Sequence, residues 1–266
     1  MKPFNPDRHQ AKKRFGQNFL QDDLIIERII KCIQPQVGQT MVEIGPGLGA
    51  LTKHLLAKTK QISVIELDRD VIPKLKFNCD GLGTLNIFQQ DALKTDFSQF
   101  KEISKIRIVG NLPYNISTPI LFHLYEYLDV IEDMHFMLQK EVVERMVAIP
   151  GSKTYGRLSI MTQYACEPQM QFIVPPEAFY PPPQVDSAIV RLVPRENPLP
   201  LSDFKLFSTL VSEVFNQRRK TIRNGWKKRL SPEDFEQLAI APERRPEELS
   251  LNDFVNVANH LTSKKS

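Results

Sequence analysis

Four consecutive residues, Asn111-Leu112-Pro113-Tyr114, bring together groups that could hold an aromatic amine for reaction. The apolar run at 106–109 predicts a buried strand directly before them. Pro113 keeps Leu112 out of the helical region, which leaves the Leu112 carbonyl free to face a ligand. That carbonyl and the Asn111 side-chain oxygen could accept the two N–H bonds of an exocyclic base amine, while the Tyr114 ring stacks on the base. The alternative is an ordinary strand-to-helix turn, in which Asn and Pro are common.

A glycine-rich loop upstream favours the functional interpretation. Residues 40–44 predict a buried strand that runs into Gly45-Pro-Gly-Leu-Gly-Ala50, where the backbone can approach a ligand closely. Glu66 closes the next predicted strand, 21 positions after Gly45, a spacing at which an acid meets the ribose hydroxyls of a bound nucleoside. Asp91 follows the third predicted strand, where it could accept the exocyclic amine of an adenine; a turn cap is the alternative.

Two classes of cofactor fit this loop. Gly45-x-Gly47-x-x-Ala50 satisfies the dinucleotide fingerprint, so that a dehydrogenase has to be considered. Glu43-x-Gly45-x-Gly47-x-Gly49 instead resembles the S-adenosylmethionine loop of class I methyltransferases. An acid beside the loop suits a cationic sulfonium and would repel a pyrophosphate. Glu43 could also be a satisfied strand-end carboxylate, and the later motifs decide for the methyl donor.

Five motifs occur together and in order along the chain: Phe15-Gly-Gln-Asn-Phe-Leu20, Glu43-Ile-Gly-Pro-Gly-Leu-Gly-Ala-Leu-Thr52, Glu66-Leu-Asp68, Gln90-Asp-Ala92 and Asn111-Leu-Pro-Tyr114. This set resembles the ribosomal RNA adenine-N6 dimethyltransferase family, and within it the small-subunit members. The resemblance implies S-adenosylmethionine-dependent dimethylation of N6 on two adjacent adenosines near the 3′ end of small-subunit rRNA.

The resemblance also assigns roles to individual residues. Those expected to act on the target base are Asn111, Leu112, Tyr114 and Phe179. Phe179 lies in the proline-dense segment 174–183 and would stack on the face of a flipped-out adenine opposite Tyr114. The expected cofactor-binding residues are Asn18, Leu20, Gly45, Glu66, Asp91 and Asn111.

The elements that must position these residues follow an alternating pattern. Strands are predicted at 40–44, 62–66, 85–89, 106–110, 134–138 and 188–193, and helices at 51–58, 120–128, 141–148, 153–165 and 204–215. An isoleucine stripe between residues 25 and 33 is interpreted as core packing behind an Asp22 N-cap. The resemblance implies a class I methyltransferase (Rossmann-like) α/β fold with a mostly parallel seven-stranded sheet whose last strand is antiparallel. We expect a catalytic domain at 1–195 and a small all-α domain at 196–266, joined by a proline-rich linker.

Two basic segments are candidates for RNA contact. Arg8, Lys12, Lys13 and Arg14 form an N-terminal arm that could cross a binding cleft, although a frayed terminus is the usual fate of such a segment. Residues 216–229 carry seven positive charges and no acid. A run of this kind is usually a solvated face, but the adjacent Trp226 and the family resemblance favour phosphate binding. The residues expected to bind RNA are Arg218, Arg219, Lys220 and Arg223.

Composition and net charge indicate the kind of partner and the cellular compartment to expect. The 266 residues carry a net charge of +4, of which the segment from Pro198 onward holds 12 basic against 9 acidic residues, or +3. This asymmetry favours an acidic partner such as rRNA or a pre-ribosomal particle. Three scattered cysteines argue against a disulfide framework or a metal site, and no apolar run is long enough for a membrane span. We expect a cytoplasmic monomer that uses no metal.

Three rival functions remain open from the sequence. A large-subunit rRNA adenine methyltransferase shares the fold, but the segment Gln217-Arg-Arg-Lys-Thr221 favours the small-subunit enzyme. A DNA adenine methyltransferase would show two prolines after the Asn or Asp. A non-catalytic RNA-binding assembly factor would tolerate loss of Glu66, Asp91 or Asn111, and all three are present.

Overall fold

A computed structural model describes residues 18–101, 104–114 and 116–264 of the chain. The basic arm with Arg8, Lys12, Lys13 and Arg14 lies outside the described residues, as does the first part of the Phe15–Leu20 motif. The strands are β1 (Phe19–Leu20), β2 (Thr40–Ile44), β3 (Gln61–Ile65), β4 (Thr84–Phe88), β5 (Ile106–Asn111), β6 (Ile131–Gln139), β7 (Cys166–Val174), β8 (Phe179–Tyr180) and β9 (Ser187–Pro194). The α-helices are α1 (Asp23–Ile33), α2 (Thr52–Thr59), α3 (Ile72–Asn78), α4 (Ser117–Leu124), α5 (Lys140–Met146), α6 (Arg157–Ala165), α7 (Phe204–Phe215), α8 (Ile222–Gly225), α9 (Pro232–Gln237) and α10 (Leu251–Ser263).

Seven strands form one sheet in the order β4-β3-β2-β5-β6-β9-β7. The pairs from β4 to β6 are all parallel, whereas β9 runs antiparallel to β6. The order reverses at β2, where β3 and β5 lie on its two sides, and such a switch point opens a crevice at the carboxyl ends of the strands. The predicted class I methyltransferase fold, with its mostly parallel seven-stranded sheet, is confirmed.

The elements that the sequence predicted are of the correct type. Three strands were missed, namely β1, β7 and β8, and the helix predicted at 153–165 begins only at Arg157, after Gly156. The sequence did not indicate β7, because this strand contains Pro168 and three glutamic acid or glutamine residues. In the sheet, β7 is the last strand in the order and lies at an edge. A strand at a sheet edge tolerates a proline and alternates exposed with covered side chains.

The isoleucine stripe of α1 packs into the core of the sheet domain, as predicted. Ile26, Ile29 and Ile33 are each at most 2% exposed, and burial of such a side chain is worth about 1.5–3 kcal/mol. Asp22 caps the helix, because its Oδ1 accepts hydrogen bonds from the backbone of Leu24 at 2.9 Å and of Ile25 at 3.1 Å.

A separate two-stranded sheet joins the start of the described chain to the proline-dense segment. In this antiparallel β1–β8 pair Phe19 lies opposite Tyr180 and Leu20 opposite Phe179. The backbone N–H of Gln21 donates to the Ala178 carbonyl at 2.8 Å and extends the pairing. Two residues with different predicted roles, Leu20 and Phe179, are therefore direct neighbours.

The described chain divides into two compact units. The first contains residues 18–140 and 169–194, and the second contains 141–168 and 195–264, each with the gaps given above. The second unit is helical around a core that includes Phe207, Trp226 and Phe254, all of them fully buried. Residues 141–168, which the sequence boundary at 195/196 places in the catalytic domain, belong to this second unit; the functional division at 195/196 stays a prediction. Among the described residues, no helix is both long and apolar enough to cross a membrane.

Candidate active site

A cavity of about 690 Å³ opens in the first unit at the carboxyl ends of β2, β3, β4 and β5. It is lined by all the residues that the sequence assigns to the base and to the cofactor: Asn18, Leu20, Gly45, Glu66, Asp91, Asn111, Leu112, Tyr114 and Phe179. The cavity is large enough for a nucleoside cofactor and part of a second base. The fold therefore brings the predicted site residues to one place, while the role of each stays a prediction.

The end of β5 fixes the two proposed acceptors. The Asn111 Nδ2 donates to the main-chain oxygen of Asn18 at 3.1 Å, so that its Oδ1 is the side-chain atom left for a ligand. The Leu112 N–H donates to the Met137 carbonyl at 3.2 Å, which anchors the backbone just after the strand. Gly110 is required beside them, because a Cβ there would lie 2.7 Å from the Ile44 carbonyl oxygen on β2.

The two aromatic rings of the site differ in accessibility. Tyr114 is partly exposed, and its hydroxyl forms a hydrogen bond with the Ser187 Oγ at 2.9 Å. Burial raises the pKa of Tyr114, and the bond to Ser187 partly offsets that rise. Phe179 lines the same cavity but is only 5% exposed. Tyr114 is therefore the more accessible surface on which a base could stack.

The glycine loop has the backbone that a close approach to a ligand requires. Gly47 has a φ of +54°, and a Cβ at this position would lie 3.2 Å from a ring carbon of Phe19. Both conditions select glycine, since an L side chain is strained at positive φ and would also meet the Phe19 ring. Phe19 thus packs against the loop, a contact that the sequence did not reveal.

Glu66 and Asp91 each carry a structural hydrogen bond besides facing the cavity. The Glu66 carboxylate accepts from the backbone of Gly47 at 3.2 Å and of Asp68 at 2.8 Å, and burial raises its pKa. The Asp91 Oδ1 accepts from the Leu93 N–H at 3.0 Å and caps the 3-10 helix Ala92–Lys94. The turn-cap alternative for Asp91 is thus also present. A carboxylate has about four acceptor positions, so both residues keep the capacity to bind hydroxyl or amine donors.

Glu43 does not support the electrostatic argument that the sequence suggested. Its carboxylate is 2% exposed and accepts a hydrogen bond from the Thr52 Oγ1 at 2.6 Å. Burial raises the pKa of Glu43 to about 7, so that a large fraction is uncharged at neutral pH. Glu43 therefore joins β2 to the first residue of α2, and its attraction for a cationic sulfonium is weaker than a full charge would give.

The remaining residues fit S-adenosylmethionine as the methyl donor. Gly45, Gly47 and Gly49 line the cavity, and two carboxylates at neighbouring strand ends could accept hydrogen bonds from ribose hydroxyls and an adenine amine. Among the residues described, no group of three or more His, Cys, Asp and Glu is arranged to hold a metal ion. That the reaction needs no metal stays a prediction.

The basic segment 216–229 contains cations of two kinds. Arg218 donates to the Lys153 carbonyl at 2.7 Å and lies 3.8 Å from the Glu247 carboxylate, while Arg229 pairs with Glu213 at 2.7 Å. Arg219, Lys220 and Arg223 are exposed and form no ion pair within the described part of the chain, and the same is true of Lys227 and Lys228. Among the four residues predicted to bind RNA, Arg219, Lys220 and Arg223 are therefore better candidates for phosphate contact than Arg218.

Trp226 does not belong to a contact surface, contrary to the interpretation of the sequence. It is fully buried, and its indole N–H donates to the Leu210 carbonyl at 3.1 Å. Its ring lies edge-on to Phe254 with centroids 5.7 Å apart. The tryptophan therefore holds α7 and α10 in the core of the second unit.

Three contacts at the site were missed because tertiary structure, and not a local sequence pattern, determines them. Thr52 bonds to Glu43, Phe19 covers Gly47, and Ser187 bonds to Tyr114. Thr52 ends the glycine-loop motif and Ser187 directly precedes a predicted strand, but their types alone gave no sign of a role.

A comparison with protein families decides the class of the chain. Residues 8–263 match the model of the family described as "Ribosomal RNA adenine dimethylase". The chain belongs to this family. The class predicted from the motifs, an rRNA adenine dimethyltransferase, is thereby confirmed.

Close relatives agree with this family. The "Ribosomal RNA small subunit methyltransferase A" of Pseudomonas aeruginosa is 56% identical over 255 residues, which are 95% of either chain. The protein of the same name from Vibrio parahaemolyticus is 54% identical over 255 residues, again 95% of either chain. Both names favour the small-subunit interpretation over the large-subunit alternative.

Solved structures match the fold of the family. A dimethyladenosine transferase from Plasmodium falciparum aligns with a TM-score of 0.81 and 28% identity, covering 93% of this chain and 98% of its own. The 23S rRNA methyltransferase ErmE aligns with a TM-score of 0.73 and 22% identity, covering 92% of this chain and all of its own, and supports the fold alone.

Proposed function

We propose that this member of the family transfers methyl groups from S-adenosylmethionine to N6 of two adjacent adenosines near the 3′ end of small-subunit rRNA. The observation that carries the proposal is the shared cavity, in which Asn111 and Leu112 stand beside Glu66 and Asp91. The first pair suits a base amine and the second suits a nucleoside cofactor. The family and the two named relatives support the RNA substrate.

When bound, S-adenosylmethionine supplies an electrophilic methyl group on a sulfonium. Glu66 would accept the ribose hydroxyls and Asp91 the adenine amine, while Asn18, Leu20 and Gly45, which line the same cavity, would also contact the cofactor. Because Glu66 already accepts the Gly47 N–H, binding at this carboxylate and the shape of the glycine loop are linked.

The protein's part in the reaction is to orient the target amine. The lone pair of an aromatic amine is delocalised into the ring, so the amine is a weak nucleophile until its geometry changes. Asn111 Oδ1 and the Leu112 carbonyl would accept its two N–H bonds and direct the lone pair toward the methyl group. The attacked nitrogen becomes acidic only after it has gained the methyl group from the sulfonium, which is left as a thioether. It can then release its proton to water, so that no strong general base is needed. Positioning of this kind can supply several kcal/mol, about 7–11 in well-oriented systems.

Stacking would keep the adenine in the plane that this geometry requires. Tyr114 offers a partly exposed ring, and Phe179 lines the cavity from the β8 side. A base held between aromatic side chains is characteristic of enzymes that take a nucleotide out of its stack. Stacking contributes about 1–3 kcal/mol per base.

The second unit would supply electrostatic attraction for the RNA. Arg219, Lys220 and Arg223 are exposed and form no ion pair among the described residues, and Arg218 would contribute less because of its contacts with Lys153 and Glu247. We also expect the protein to act as a monomer in the cytoplasm, where small ribosomal subunits are assembled. Size-exclusion chromatography with light scattering tests the first of these expectations.

The proposal is tested by incubating the protein with radiolabelled S-adenosylmethionine and small subunits that lack the modification. Digestion of the RNA should yield labelled N6,N6-dimethyladenosine from two adjacent positions near the 3′ end. Label only in large-subunit RNA would support the rival methyltransferase, and RNA binding without any label would support a non-catalytic assembly factor. Calorimetry should show saturable binding of S-adenosylhomocysteine and none of NAD.

A further inference from the structure

Tyr114 is held at both ends by buried serines. Its hydroxyl lies 2.9 Å from the Ser187 Oγ, and its main-chain carbonyl accepts a hydrogen bond from the Ser117 Oγ at 2.9 Å. Ser187 is 1% exposed and Ser117 is 2% exposed. The serine at the carbonyl fixes the backbone at the start of α4, whereas the serine at the hydroxyl fixes the far end of the ring.

The position of Ser187 is itself fixed by two strands. It is the first residue of β9 and pairs with Gln139, the last residue of β6. Just before it, the Asp186 carbonyl accepts from the Lys140 N–H at 2.9 Å. Ser187 therefore presents its hydroxyl from a rigid part of the sheet, at the point where the proline-dense segment with Phe179 returns to the fold.

A bond from this rigid point limits the motion of the Tyr114 ring. With its hydroxyl free, the side chain could change its two torsions within the space of an open cavity of about 690 Å³. With its hydroxyl bound, the ring has one preferred plane before any base arrives. Preorganisation of this kind lowers the ordering cost that binding would otherwise carry.

We propose that Ser187 is a positioning residue for methyl transfer, acting through the Tyr114 hydroxyl to hold the ring in the plane on which the adenine stacks. This inference rests on the proposed stacking role of Tyr114. The sequence indicates only that stacking on the base needs the ring of Tyr114. On that basis alone, Tyr114→Phe would keep substantial activity. The structure instead assigns the hydroxyl a function, so that Tyr114→Phe and Ser187→Ala should have the same defect.

The test is a double-mutant cycle with unmodified small subunits as substrate. Ser187→Ala, Tyr114→Phe and the double variant are compared with wild type in single-turnover methylation at saturating donor and RNA. Loss of one hydrogen bond should slow each single variant about tenfold. The double variant should be no slower than either single one, because both remove the same bond. Ser187→Thr, which keeps a hydroxyl, should recover most of the rate.

Controls separate positioning from a role in stability alone. Melting curves and the affinity for S-adenosylhomocysteine should be close to wild type for Tyr114→Phe, a variant that removes the bond without altering β9. Rate losses that multiply in the double variant, or a Ser187→Ala rate equal to wild type, would overturn the inference while leaving the proposed function intact. If wild type itself yields no dimethyladenosine, the proposed function fails and takes the inference with it.

Discussion

The Asn111 amide is held by its nitrogen, which leaves its oxygen for a substrate. The donor bond to the Asn18 carbonyl at 3.1 Å selects one of the two amide orientations, because only the nitrogen can donate. A side chain fixed in this way can accept an N–H without first reorganising. The main chain of one predicted cofactor residue thereby orients the residue predicted to act on the base.

Asn111→Ala should abolish most methyl transfer while the fold survives. The substitution removes one of two proposed acceptors, and removal of a transition-state hydrogen bond of this type typically costs about 10²–10³-fold in rate. Single-turnover methylation at saturating donor and RNA measures the effect, with a melting curve to confirm folding. Asn259→Ala is a control, since it removes a similar bond from an amide nitrogen to the Pro200 main-chain oxygen at 2.8 Å, together with the bond that its Oδ1 accepts from the Ser202 N–H at 3.0 Å. A folded Asn111→Ala variant with near-wild-type rates would refute the proposed role.

Glu66→Gln should weaken donor binding about 10–100-fold, which corresponds to about 1.5–3 kcal/mol for a charge-assisted hydrogen bond. Glutamine keeps the length of the side chain and one acceptor oxygen, but it directs an NH₂ group at a partner that also donates. Calorimetric titration with S-adenosylhomocysteine gives the affinity directly. An unchanged dissociation constant would show that Glu66 serves only the N–H groups of Gly47 and Asp68.

The site residues that the sequence predicted lie at the carboxyl ends of strands, at the edge of the sheet. Glu66, Asp91 and Asn111 all closely follow or end a recognisable apolar strand, so local pattern was enough to find them. Ser187 and Thr52 depend on partners 73 and 9 positions away in the chain, and these pairings are set by tertiary structure. Trp226 was misinterpreted because its basic neighbours are exposed while its own ring is in the core.

At the scale of elements, the position of a strand within the sheet determined whether the sequence pattern predicted it. The inner strands β2 and β5 are buried along nearly their whole length and carry mostly apolar residues, as strands covered on both faces should. The edge strand β7 alternates between exposed and covered residues and contains Pro168, so its composition resembles a loop. Short pairs such as β1–β8 leave almost no local signal, although this one brings Leu20 next to Phe179.

Three exposed cations of the basic segment around α8 should contribute to RNA affinity. Replacing Arg219, Lys220 and Arg223 together by Gln should weaken binding to small subunits and flatten its salt dependence. The logarithmic slope should fall by about 0.7–0.9 for each phosphate that the variant no longer neutralises. Filter binding over a series of salt concentrations measures this slope, and donor affinity should not change.

Arg229→Gln is the control for this experiment, because that guanidinium is already paired with Glu213. It removes one positive charge from the same segment but no free cation. If the triple variant leaves the slope at its wild-type value, the exposed cations are a solvated face. If Arg229→Gln lowers the slope by about a third as much as the triple variant does, as its share of the removed charge would give, net charge alone governs the attraction.

At the scale of the whole molecule, the chain passes from the sheet of the first unit into the second unit and later returns to complete the sheet. Residues 141–168 join the C-terminal helices in the second unit, and β9 and most of β7 then complete the sheet of the first. The proline-rich linker after Pro194 is visible in the sequence, whereas the earlier exit at residue 140 occurs between elements with no change in composition. A boundary drawn from linkers alone therefore finds only one of the crossings.

Two buried groups in the first unit make opposite contributions to stability as pH changes. Burial lowers the pKa of His135 from 6.5 to about 4, against the attraction of Asp133 and with the support of Arg107 and Arg191. Burial raises the pKa of Glu43 from 4.5 to about 7, reinforced by Glu66 and opposed by the Thr52 hydrogen bond. Between the folded and unfolded pKa values of each group, His135 is therefore protonated mainly in the unfolded chain, whereas Glu43 is protonated mainly in the folded chain.

The sign of each contribution follows from proton linkage. The stability that depends on neutral His135 is complete above pH 6.5 and is lost as the pH falls toward 4, since only the unfolded state is protonated there. The stability that depends on protonated Glu43 is complete below pH 4.5 and is lost as the pH rises through 7. Over the shared range the two slopes oppose each other, and wild type should show little net dependence from this pair.

Substituting either residue should therefore make measurable the pH dependence of stability that the other residue contributes. Relative to wild type, His135→Leu should become progressively more stable as the pH falls from 6.5 to 4, and Glu43→Gln as the pH rises from 4.5 to 7. Each change should be on the order of 3 kcal/mol across its range, because one pKa unit corresponds to about 1.4 kcal/mol. Urea unfolding followed by circular dichroism, at several pH values and with a single transition required, gives the free energies. Taking differences from wild type cancels the titrating groups that are not coupled to the substituted residue. Difference curves that are flat, or that slope in the same direction for both variants, would show that these two side chains do not titrate as the structure indicates.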